Sequence, residues 1–122
     1  MKKDISSSGE NWVLWLVKTI SGVLIVALLG VHFVVNHLVP PAGLLTYTDI
    51  VRYYRNPLIP LMEGAFLVLV VGHALIGVRS ILLDLHPSGA QVRWIDRLLI
   101  FTGFGAVVYG IRLLVIIATR PL

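Results

Sequence analysis

The sequence predicts an all-α integral membrane protein with three transmembrane helices, and three observations predict it. Hydrophobic residues fill 57% of the 122 positions and charged residues only 13%, far from the usage of soluble domains. No Asp, Glu, Lys or Arg occurs from Thr19 through Thr48, a stretch longer than the roughly 20 apolar residues that cross a hydrocarbon core. Two further apolar stretches follow, Leu58 to Leu85 and Trp94 to Thr119. Their basic residues Arg79 and Arg112 have stems long enough to snorkel toward headgroups.

Taken in order, residues 1–10 hold three consecutive serines and four charges and read as a polar lead. The apolar run behind them is too long for a signal-peptide core and lacks a small-x-small cleavage site, so it reads as retained. Residues 11–122 then form a single transmembrane domain. Its first helix is expected over about 11–39, opened by Asn11 and stopped before Pro40-Pro41. Trp12 and Trp15 stand where an interfacial aromatic belt would lie, with Lys18 one turn further in. A short interfacial helix over about 47–55 is expected next, bearing Tyr53 and Tyr54, with Thr48 or Asp49 as its cap. The second span covers about 58–86. A tight turn, His86 to Gln91 with Pro87 and Gly89, leads into the third at about 93–119, so the last two spans form a hairpin.

Three short-looped helices are at most half a bundle and need something to pack against. Glycines at 22, 30, 72, 77, 103, 105 and 110 offer small surfaces where a helix or a flat macrocycle could reach the backbone. Ten Lys and Arg give a net charge of +4 but form no run, so nucleic acid is not an indicated partner. Lys2, Lys3, Arg93 and Arg97 fall on one side of a three-span layout against Arg52, Arg55 and Arg120 on the other, which tilts the N-terminus toward the cytoplasm. Without cysteine, the chain has no thiolate for an iron–sulfur cluster, a Cys-type zinc site or covalently attached haem.

The chemistry concentrates on histidine. His73 lies near the middle of the second span, and Gly77, Ser80 and Asp84 all fall within roughly 40° of it around a helix axis. An ionisable ring at that depth is costly and needs a hydrogen bond, water or a metal centre, and a haem iron would satisfy it. His32 lies about 21 Å along the helix axis from Lys18, well inside the membrane. Either an interhelical hydrogen bond or iron ligation would account for it. If Lys18 and Asp84 mark one surface, His73 lies about 16 Å deep, a mismatch that disfavours a shared iron. His37 sits near the exit of the first span and His86 in the turn, where neither needs a special reason. Lys18, with Ser21 and Gly22 just beyond, could meet a haem propionate or simply snorkel. Arg79 and Asp84 could pair with each other, bind a quinone carbonyl network, or meet a soluble partner.

These residues resemble the cytochrome b membrane-anchor subunits of succinate dehydrogenase and fumarate reductase, the small three-helix chains of respiratory complex II. Ser21-Gly22-Val23 followed by Gly30-Val31-His32 is similar to the family's first-helix pattern. His73-x-x-x-Gly77-Val78-Arg79 with Asp84 is similar to its haem-ligand signature. The resemblance implies half of a haem-binding bundle completed by a second anchor chain. It implies His73 as one axial ligand of haem b and His32, or failing it His37, as ligand of a second haem, with the partner chain supplying the opposite ligands. It also implies an iron–sulfur subunit and a flavoprotein subunit as partners, membrane lipid around the helices, and quinone at the subunit interface. The first-helix pattern leans toward the D-type anchor. Some anchors have a quinone-binding tyrosine after the second-helix aspartate, where this chain has Leu85. A haem-free structural or assembly anchor, and a b-type subunit of another quinone-linked oxidoreductase, are the alternative readings.

Overall fold

A computed structural model describes residues 12–39 and 46–121. The polar lead at 1–10 and Pro40-Pro41 lie outside the described residues. The order is α1 (Trp12–Phe33), a π-helical turn continuing it (Val34–Leu38), α2 (Tyr47–Tyr53), α3 (Leu58–Leu83) and α4 (Gly89–Ala118). Three spans of 27, 26 and 30 residues result. At 1.5 Å per residue they are about 39 to 45 Å long, enough to cross a bilayer's hydrocarbon core with their ends in the headgroups.

Local chemistry sets the ends. α2 is capped by Thr46, whose Oγ1 accepts from the Asp49 N–H at 3.3 Å while the Asp49 carboxylate accepts from the Thr46 N–H at 3.0 Å. The cap is thus two residues ahead of Thr48, and Asp49 is the returning half of a capping box. α3 starts beyond Pro57, with the Asn56 side chain accepting from Leu58 N–H at 3.1 Å. Pro60 falls in its first turn, where a missing N–H costs nothing. The helix ends at Leu83 with Asp84 as its C-cap, and His86, whose φ of 54° is left-handed, turns the chain away ahead of Pro87. α4 begins at Gly89, four residues ahead of the expected start, because Ser88 and Gln91 form a second reciprocal capping box. The turn between the last two spans is correspondingly short.

α3 is the central helix, packed against α1 on one side and α4 on the other, while α1 and α4 scarcely touch. Against α4 the fit depends on missing side chains: a methyl at Gly103 would overlap Leu75, and one at Gly110 would overlap Leu67. The glycines do not all serve that purpose, since Gly30, Gly72, Gly77 and Gly105 face open space. Arg79 ties the same pair of helices, its Nε donating to the Asp96 carboxylate at 2.7 Å. This takes the place of a pairing with Asp84, one of the three readings the sequence left open for Arg79. Five residues along a helix turn through about 140°, which puts those two side chains on different faces.

Very little is buried by this chain alone: Val51, Ser21 and Gly103 are the buried positions among the described residues. Phe101 is 80% and Phe104 70% uncovered, and Trp12 72%. Faces so apolar and so bare belong against lipid or another apolar helix. The row α1–α3–α4 is an open half-bundle in an integral membrane protein.

Candidate functional site

Two polar levels cross the α1–α3 interface. At the first, Ser21 Oγ lies 3.0 Å from both the Lys18 carbonyl oxygen and His73 Nδ1. A carbonyl can only accept, so the single hydroxyl proton goes to Lys18. The serine oxygen is left to accept from His73 Nδ1–H. In that arrangement the ring proton sits on Nδ1 and the Nε2 lone pair is unused by this network. Gly22 makes room for the ring, because a methyl there would come within 3.3 Å of His73 Cε1. Beside the ring runs an open groove of about 520 Å³ lined by Lys18, Thr19, Gly22, Val23, Val26 and His73.

The second level joins His32 to Glu63, Nδ1 to Oε1, at 2.9 Å. Asn36 Nδ2 stands 3.0 Å from the same nitrogen, and Phe66 stacks on the ring at 5.8 Å between centroids. One nitrogen offers either a proton or a lone pair, so it cannot donate to a carboxylate and accept from an amide at once. With Nδ1–H on Glu63, the amide presents its oxygen. Glu63 is 12% exposed and His32 32%. Beside them lies a half-open pocket of about 330 Å³, with Asn36 and His37 and, from α2 and its end, Ile50, Tyr53 and Tyr54 in its wall. The Tyr53 hydroxyl is buried there without a hydrogen-bond partner. The Tyr54 phenol is pushed up to about 12, first by burial and then by the Glu63 charge, and Tyr53 is raised by the same causes in the same order.

Moving eleven residues forward along α1, from Ser21 to His32, goes with moving ten back along α3, from His73 to Glu63. The levels are therefore about 15 Å apart. This corrects the depth reckoning from Lys18 and Asp84. Lys18 lies three residues from the His73 level along α1 and Asp84 eleven along α3, so the two do not mark one surface and the separation is greater than the sequence suggested.

The remaining predicted positions disperse. Ser80 donates to the Ile76 carbonyl at 3.0 Å, Gly77 faces open space, and Asp84 is the exposed C-cap of α3. His37 is exposed, tilted against Phe33, and shares the pocket wall with His32. Lys18 contributes both its carbonyl and a place at the groove. Sequence reasoning missed Glu63 as a partner, although a carboxylate inside a span always asks for one. It missed Asn36 and Phe66 as well. The antiparallel register was the available signal, since a His73 contact at Ser21 puts residue 63 beside residue 32.

The described residues hold no cluster of three or more His, Asp and Glu arranged for a bare metal ion. A haem iron asks for less, one imidazole from each side. The residues present fit that demand: each ring is anchored through Nδ1, and His73 adds a glycine-floored apolar groove.

Residues 2–118 match the family described as succinate dehydrogenase/fumarate reductase transmembrane subunit. The chain is 30% identical over 100 residues to a succinate dehydrogenase hydrophobic membrane anchor subunit of Archaeoglobus fulgidus, covering 82% of this chain and 85% of that one. It is 34% identical over 77 residues to a succinate dehydrogenase 2 membrane subunit, SdhC, of Mycobacterium tuberculosis, covering 63% of this chain and 56% of that one. No solved structure matches.

Proposed function

The chain belongs to the succinate dehydrogenase/fumarate reductase transmembrane subunit family, and on that premise we propose that it is a cytochrome b anchor, holding haem b with a second anchor chain. In this reading electrons pass between an iron–sulfur subunit, itself carried with a flavoprotein, and membrane quinone. The observation that carries the reading is the chain His73–Ser21–Lys18, which orients an imidazole at mid-span with its Nε2 lone pair available. Haem supplies one-electron chemistry when bound. His73 would supply one ligand nitrogen, Gly22 the clearance that seats the His73 ring, Val23 and Val26 the apolar wall, and Lys18 a countercharge for a propionate. Imidazoles about 15 Å apart could not meet on one iron, so His32 would hold a second haem. Quinone belongs at the subunit interface, and Leu85 gives this chain no phenol for it.

The test is spectroscopic. The purified complex is expected to show reduced b-type absorption, to carry two haems on extraction, and to lose one in His73→Ala. Ser21→Ala keeps the ligand but frees its ring, and haem affinity should fall about 10- to 100-fold. A second reading has its own support, because both rings already make interhelical hydrogen bonds, which is all a haem-free structural anchor requires. A complex without b-type absorption, or an unchanged spectrum in His73→Ala, selects that reading.

A further inference from the structure

We propose that the α3–α4 seam carries a site for an anionic phospholipid at the end nearer its turn, one acyl chain lying in the groove beside Arg79 and Asp96 and the phosphate meeting Arg79 and Arg93. The groove, about 340 Å³, is walled by Leu75, Ile76, Leu99 and Ile100 and headed by the Arg79–Asp96 pair. A cation above an apolar channel matches a lipid, whose charge sits at the water boundary and whose chain runs toward the middle of the bilayer. The depth agrees. Arg79 lies four residues, about 6 Å, from the end of α3. Trp94, an exposed indole of the kind that marks the membrane interface, lies two residues before Asp96 on α4.

Charge selects the headgroup. Asp96 accepts from Arg79 Nε at 2.7 Å and from its Nη2 at 3.4 Å, which uses two of the five N–H donors of a guanidinium and leaves the others for a phosphate. Arg93 lies one turn nearer the start of α4, on the same face as Ile100, and its Nη1 comes within 3.8 Å of where a methyl on Gly89 would stand. Arg97 lies over the Trp94 ring, 5.9 Å from its centroid. Among the described residues at this end of the hairpin, these three guanidiniums stand against the carboxylates of Asp84 and Asp96, an excess that favours anionic over zwitterionic lipid. Direction argues for lipid over a second anchor chain. Six residues from His73 to Arg79 turn through roughly 120° around α3, so the groove opens on a different face from the one where an imidazole opposite His73 would approach.

The test titrates the purified, delipidated complex in detergent with phosphatidylglycerol or phosphatidylcholine and counts bound lipid by native mass spectrometry. Phosphatidylglycerol is expected to bind about fivefold tighter or more. Arg79→Gln combined with Asp96→Asn leaves the net charge unchanged and should weaken phosphatidylglycerol binding about fivefold. Asp96→Asn alone removes a repelling carboxylate, releases the donors of Arg79 and should strengthen it, whereas a pair that only joined the helices would make both variants bind less. Equal binding of the two lipids, an unchanged double variant, or weaker binding in Asp96→Asn overturns the proposal. Displacement by inorganic phosphate would reveal a bare anion site and displacement by a short-chain quinone a quinone site, and either overturns it as well. Ile100→Cys, in a chain without cysteine, should react with a lipid-soluble maleimide in the delipidated complex and be protected by phosphatidylglycerol. A thiol protected before lipid is added means that another subunit covers the groove, and the proposal fails.

Discussion

His73 finds its partner on another helix, not on its own stripe. Gly77, Ser80 and Asp84 share its face by spacing, yet Ser80 bonds back to its own helix and Asp84 ends it, while Ser21 arrives from α1. Helical periodicity says which residues look the same way; it is silent on what they look at. The same limit hid Tyr54. Its phenol is raised from 10 to about 12 by burial and by Glu63, so the folded state holds the proton more tightly than the unfolded one. The stability this contributes is complete below pH 10 and is lost as pH climbs toward 12. Unfolding of the detergent-solubilised complex followed from pH 8 to 12 should show that loss, and Tyr54→Phe should flatten it. An identical alkaline limb in the variant would place the loss elsewhere.

At the scale of elements, ends and seams were read unequally well. Three apolar spans were legible because lipid demands long unbroken hydrophobic helices. The start of α4 was misread by four residues, because Gly89 and Pro87 were weighed as turn residues while Ser88 and Gln91, three apart, went unread as a capping box. Nor does composition tell a glycine that packs from one that does not. Gly103 and Gly105 are two residues apart on α4, and a methyl would collide with Leu75 at the first and meet nothing at the second. Gly103→Ala should therefore weaken the α3–α4 pair by about 1–3 kcal/mol, and Gly105→Ala should leave it unchanged. Denaturant titration of the complex in detergent separates them, and equal losses would contradict this seam.

The whole molecule is a row of three spans with α3 in the middle and broad apolar faces left bare. Each of the two levels has one imidazole oriented through Nδ1, so the proposed haem sites would close only when a second chain faces this one. Expressed without a second anchor, the chain should stay in the membrane fraction and show no low-spin b-type spectrum, and coexpression should restore it. A full spectrum from the chain alone would mean that it completes the sites with its own copies.

Sequence alone determined the membrane class and the number of spans, because burial in lipid acts on every residue of a span and leaves its mark in composition. Tertiary structure decided which polar side chains meet. Ser21 with His73, His32 with Glu63 and Arg79 with Asp96 are set by the register of antiparallel helices, and that register comes from side-chain volumes at a few close contacts, which no single helix contains.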